Sequence, residues 1–176
     1  MSISGTLADL DTFQRIRDTL RSVLTSEAPP TADKVSWYLP GFATACRVST
    51  VFGDLPVEAL RVRDDLRTFS GASARVQHID RIHLDAEFLR SQQSALPIRI
   101  PANAFGPGRP SQDMLVSPGQ EISSDAHVAS HFVKARDLRD RFAADLTQSS
   151  GLTYHRFHCG APAIVRIDGL WVRVQP

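Results

Sequence analysis

This sequence predicts a mainly β protein with a helical N-terminal extension. Three observations carry that reading. From Val35 onward the apolar residues come in short runs, several of them alternating with polar ones, as half-buried strands do. Gly, Pro and Asp break those runs repeatedly, which argues for many short strands joined by turns. Before them lies one long stretch with helical periodicity, Asp11 to Leu24.

In that stretch Leu10, Phe13, Leu20 and Leu24 fall on one stripe, flanked by Ile16 and Val23, while Arg15, Asp18 and Arg21 take the other side. Asp11 can cap the first free amides and Gln14 can reach back. The prolines in Glu27-Ala28-Pro29-Pro30 stop the helix and stiffen a linker. Residues 1–36 therefore read as helix and linker, and 37–176 as the β domain. A lone helix gains little stability in water, so its stripe must meet the β domain, a protein partner or another copy of the chain.

In the β domain, Cys46, Val48, Thr50 and Phe52 alternate with Arg47, Ser49 and Val51 as a strand, and Gly53-Asp54 reads as the following turn. Pro56 to Asp64 would bring the chain back. Arg75 to Leu84 is strand-like, and Asp85 to Ser91 suits a short helix. Ile98–Ile100 and Met114–Val116 read as strands around a Gly- and Pro-rich segment. Glu121 to Val128 is polar and turn-like. Phe132 to Leu138 resembles a strand running into a helical turn, and Thr147 to Gly151 a surface loop. Leu152, Tyr154, Phe157 and Cys159 give a strand with one irregularity, readable as a bulge. Ala163–Ile167 and Leu170–Val174 form a hairpin around Asp168-Gly169.

At 176 residues, with 42% apolar and 22% charged residues, the chain can bury one core but hardly two independent ones. A net charge of +1 implies no general attraction to nucleic acid or anionic membrane. No apolar run approaches a membrane span, and no conventional signal peptide is evident. The positive charge is nearly all arginine, the lysines being Lys34 and Lys134. Arg61, Arg63, Arg67, Arg75, Arg81 and Arg99 are interspersed with acids, which argues against a nucleic-acid face. Two cysteines, Cys46 and Cys159, are too few for a disulfide scaffold and fit two reduced thiols in the cytoplasm, with signal-independent export or incorporation into an assembly as the alternatives.

Five phrases of the β domain carry a family likeness: Pro56-Val57-Glu58-Ala59-Leu60-Arg61-Val62; Pro97-Ile98-Arg99-Ile100 with Ala104-Phe105-Gly106-Pro107-Gly108; Leu115-Val116-Ser117-Pro118; Phe132 to Leu138; and Tyr154-His155 with Asp168-Gly169-Leu170-Trp171-Val172. In this order they resemble the bacterial branch of the hedgehog/intein (Hint) domain family, from about Pro40 to Val174. The resemblance implies a horseshoe-shaped all-β module with short helical turns and pseudo-twofold halves. It also implies self-cleavage, in which a Cys or Ser opening the module attacks the carbonyl before it, helped by two histidines.

Carried over residue by residue, that chemistry fails. The nucleophile position falls on Gly41, which has no side chain, although Phe42 suits the pattern. The first histidine position is Gln120, whose amide is neither acid nor base near neutral pH. The second falls near Pro162. A turn glycine expected after Val62 is Arg63, so the turn must avoid positive φ or accept its cost.

Two cysteines could replace the lost nucleophile. Cys46 lies five positions after Gly41 but begins an alternating strand, where burial is the simpler role. Cys159 could pair with His155 or His158, yet in a regular strand His158 points to the other face and His155 lies about 13 Å away. The six histidines form loose pairs (His78 with His83, His127 with His131, His155 with His158), and none completes a zinc signature. No cofactor motif is present; Gly106-Pro107-Gly108 lacks the lysine and helix of a phosphate cradle. The sequence thus predicts a catalytically inert relative kept as a structural or protein-interaction component, with helix Asp11–Leu24 as the partner-facing addition. The alternative is autoproteolysis or acyl transfer through Cys46 or Cys159.

Overall fold

The computed structural model describes residues 37–123, 125, 131–143 and 150–176. The helix expected at Asp11–Leu24, its linker, His127 and Thr147–Ser149 lie outside the described residues.

Among the described residues thirteen strands follow in chain order: β1 Phe42–Ala43, β2 Arg47–Thr50, β3 Gly53–Pro56, β4 Asp65–Arg67, β5 Ser73–Arg75, β6 His78–Leu84, β7 Ile98–Ile100, β8 Met114–Val116, β9 Glu121–Ser123, β10 Phe132–Lys134, β11 Leu152–His158, β12 Ala163–Ile167 and β13 Leu170–Val174. They build two antiparallel sheets. One runs β6-β11-β1-β8-β7; the other runs β10-β9-β13-β12-β2-β4-β5, with β3 also paired to β2. The mainly β class expected from the short broken runs is what the chain adopts.

Helix α1, Ala86–Ser91, follows the expected position closely. Asp85 caps it by accepting from the Phe88 N–H at 2.7 Å, which satisfies one of the free first-turn amides. Pro97 downstream cannot extend it. Ile98–Ile100 and Met114–Val116 do pair with each other, Ile98 opposite Val116 and Ile100 opposite Met114. The last hairpin also forms as expected. Asp168 and Gly169 both take positive φ, 46° and 88°, the pattern of a two-residue turn whose twist matches its strands.

Four local expectations need correction. The hairpin after β2 turns at Val51-Phe52, and Gly53-Asp54 begins β3, so Phe52 stands at the apex with 96% of its surface exposed. Pro56 to Asp64 does not return as a strand: only Pro56 belongs to β3, and Val57–Ala59 form a 3₁₀ turn. The polar stretch after Pro118 contains β9, because Ile122 is buried between β10 and β13. Finally, β11 pairs with β6 in unbroken register from Leu152–Leu84 to His158–His78, so it has no bulge there. Its irregular apolar spacing arises because both faces are covered.

Those two faces define two cores. Phe42 and Phe157 stack, 6.0 Å between ring centres, in the main core with Val48, Leu66, Ile122, Val165 and Val172. Ala43, Leu152 and Tyr154 face a smaller core with Leu84, Leu89, Ala95 and Leu96 beside α1. Burying an aliphatic or aromatic side chain of this kind contributes about 1.5–3 kcal/mol. Both residues of β1 are therefore fixed by packing, which pins the segment just before it.

Candidate functional site

Gly41 immediately precedes β1, and its carbonyl accepts the Ser117 N–H at 2.9 Å. The approach of β11 is close: a Cβ at Gly41 would lie 3.1 Å from Tyr154 Cβ and 3.4 Å from the His155 carbonyl oxygen. Upstream, Ser117 Oγ donates to the Leu39 carbonyl at 2.5 Å and accepts from Trp37 Nε1 at 2.9 Å. Tyr38 passes directly over Gly119, where an added Cβ would be 2.1 Å from the Tyr38 carbonyl oxygen. Only glycine tolerates that approach. The segment Trp37–Pro40 is thus held across the Ser117–Gln120 turn.

Gln120 lies inside that turn, 1% exposed. Its Nε2 donates to the carbonyls of Glu121 (3.1 Å) and Arg173 (2.9 Å), and its backbone carbonyl accepts the Ala135 N–H at 2.9 Å. The side chain is a tie between β9 and β13. Gly41 and Gln120 share the wall of one small cavity of about 120 Å³, together with Lys134, Arg156 and Arg173. Arg173 pairs with Glu121 at 3.1 Å and lies 4.3 Å over the Phe132 ring. The third family position behaves differently. Pro162 is exposed in the β11–β12 connection and does not line this cavity; Arg173, Val174 and Gln175 form its C-terminal wall instead.

With that arrangement in view, comparison with known proteins is decisive. The Hint domain family model matches residues 40–173, most of the chain. The chain belongs to the Hint family. Among solved structures it is similar to the solution structure of a bacterial intein-like domain from Clostridium thermocellum, at 12% identity and a TM-score of 0.50, covering 78% of this chain and 99% of that one. A crystal structure of the MchDnaB-1 intein is similar at 9% identity and a TM-score of 0.47, covering 77% and 99%. At this identity the first likeness speaks to fold alone. No curated protein matches the chain.

Burial shapes the surroundings of both cysteines of this Hint domain. Cys46 is buried, and its Sγ lies 3.5 Å from the Leu115 carbonyl. Burial chiefly, with Asp168 and Glu58 adding repulsion, pushes its thiol up to about 12, so the thiolate is scarce at neutral pH. Burial also raises the Cys159 thiol. Both are free cysteines. His158 turns its Nδ1 to the Gly160 N–H at 3.1 Å and stacks on His78, 5.3 Å between ring centres. His83 is taken by the Thr153 hydroxyl at 3.0 Å. Among the described residues no group of three His, Cys, Asp or Glu side chains could hold a metal.

His155 lies opposite Phe42 in the β1–β11 pairing, two positions before Phe157. Its Nε2 lies 3.4 Å from Thr44 Oγ1, while its buried Nδ1 has no hydrogen-bond partner. Burial pulls it below the usual imidazole range, Glu58 opposes that, and Arg81 adds to it. This Thr44–His155 contact was not legible from spacing, since the two residues lie 111 positions apart. Arg63 has φ of +80°, so its turn accepts the left-handed cost, offset by its N–H donating to the Val76 carbonyl at 2.8 Å. Among the described residues no helix is long and apolar enough to cross a membrane.

Proposed function

We propose that this chain is a non-processing Hint domain, retained as a structural or protein-interaction component. The observation that carries the reading is Gly41. Acyl transfer needs a side-chain sulfur or oxygen beside the carbonyl to be attacked. At Gly41 there is none, and the space where a Cβ would begin is narrowed by Tyr154. Gln120 supports the same reading, because its amide N–H bonds are spent on backbone carbonyls instead of being aimed at a developing oxyanion. The stretch Asp11–Leu24, with its apolar stripe, is the part of the sequence best suited to face a protein partner.

The test is intact-mass measurement of the purified chain after prolonged incubation with a strong external thiol or hydroxylamine. The expected result is a single unchanged mass. A cleavage product lost on replacing Cys46, Cys159 or Thr44 would overturn the reading and name the nucleophile.

A further inference from the structure

A second polar site lies on the other sheet. An open groove of about 860 Å³ crosses β2, β4, β12 and β13, with Arg47, Arg67 and Arg166 in its walls and Trp171 at one side. That volume is near the top of the ~300–1,000 Å³ range of ordinary ligand sites. Register explains why the arginines meet. The bridge between Thr68 and Val165 sets Arg67 beside Arg166, and Arg166 lies directly opposite Trp171. The Trp171 ring is held edge-on by Phe69, 5.2 Å between centres.

The arginines of this groove are treated unlike others in the chain. Arg75 pairs with Asp65 at 2.9 Å, Arg99 with Asp113 at 2.5 Å, and Arg173 with Glu121 at 3.1 Å. In the groove, Arg47 Nη2 donates to the backbone carbonyl of Asp54 (2.8 Å) and Arg67 Nε to that of Thr50 (3.0 Å). The one carboxylate of the groove wall, that of Asp54, is taken by the Ser49 hydroxyl at 2.7 Å. Among the described residues none of the three guanidiniums makes a direct ion pair with a carboxylate; Asp168 is drawn to Arg47 only at longer range. Like charges set side by side across strands repel, and a bound anion removes that repulsion while filling the planar forks.

We propose that this groove binds an acidic peptide segment, with its carboxylates seated on Arg47, Arg67 and Arg166. The floor and rim favour a peptide over a nucleic acid. Asp54 stands in the wall, and Asp54, Asp64 and Asp65 line the adjoining hollow, so the basic track a phosphate backbone needs is cut short. A peptide can place carboxylates on the arginines and still offer an N–H or a basic side chain to Asp54. The walls leave room for it: a Cβ added at Gly53, Gly71 or Gly108 would meet nothing within 4 Å. The proposal gives the interaction role suggested above a site and a ligand class, and so rests on that role but not on the absence of self-cleavage.

The experiment is fluorescence anisotropy of a labelled, end-blocked peptide of alternating glutamate and glycine, titrated with the full chain at about 0.15 M salt. Saturable binding is expected, at least about tenfold weaker for the matching glutamine peptide and for the variants Arg166→Glu and Arg166→Gln. Arg90→Glu, on α1 and away from the groove, is expected to bind like the parent. Circular dichroism confirms that each variant is folded. Absence of saturable binding, an equal loss with Arg90→Glu, or tighter binding of an oligothymidylate would each overturn the proposal. Intact mass recorded on the same samples reports separately on self-cleavage.

Discussion

Two polar regions of this Hint domain are built in opposite ways. Around Gly41 the chain closes on itself: Trp37 and Leu39 engage Ser117, Tyr38 overlies Gly119, and Gln120 ties β9 to β13. Across β2, β4 and β12 three arginines line an open groove without a direct carboxylate ion pair among the described residues. The difference teaches where to look for binding in a scaffold of this kind. Polar groups spent on their own backbone hold the fold, and those left facing solvent together are free for something else.

The largest effect expected from breaking this contrast is at Gly119. Gly119→Ala drives a methyl into the Tyr38 carbonyl and should cost about 3 kcal/mol, read as a lower denaturant midpoint. Gln120→Leu removes the tie and its two hydrogen bonds to the Glu121 and Arg173 carbonyls, for a loss of about 1–3 kcal/mol in the same measurement. Gly41→Cys should cost about 1 kcal/mol through the tight Tyr154 contact and still yield no cleavage product by mass. A cleaving Gly41→Cys variant would mean that the rest of the machinery survives, and the closed region would then be poised rather than inert.

Smaller effects sharpen the picture. Native protein at pH 8 should leave Cys46 unmodified by iodoacetamide, since few thiolates form when the pKa is about 12; mass mapping after quenching checks this. Asp168 supplies a pH dependence. Burial raises its carboxyl from 3.8 to about 6, against the opposing hydrogen bonds from the Arg47 N–H and Gln112. The folded state then holds the proton more tightly than the unfolded chain, so this contribution is full below about 3.8 and is lost as pH rises through about 6. Asp168→Asn should flatten stability across that window.

Much of the strand framework was legible because local signals agreed. The short helix expected over Asp85 to Ser91 formed, with Asp85 as its cap, and Asp168-Gly169 made its hairpin. The errors came where tertiary pairing outweighed local pattern. Ile122 sits among polar residues, yet two neighbouring strands draw it into β9. Gly53-Asp54 looks like a turn, but the turn moved to Val51-Phe52 so that Ser49 could face Asp54. At the candidate site, Gly41 and Gln120 were found by likeness to a motif, and they share a cavity wall. Pro162 does not join them, because position along a loop says little about which wall a side chain reaches. Arg173, Thr44 and the arginine groove left no local signal. They depend on pairings between distant strands.

That dependence has a kinetic consequence. The two-residue strand β1 is flanked by β8 and β11, and β2 meets β12 through Val48 and Ile167, so the centre of each sheet joins opposite ends of the β domain. A chain emerging from the ribosome cannot complete either sheet until β11 and β12 are synthesised. With so many contacts remote in sequence, refolding should take milliseconds to seconds, not microseconds. Until then Phe42 and Val48 remain exposed to solvent and chaperones.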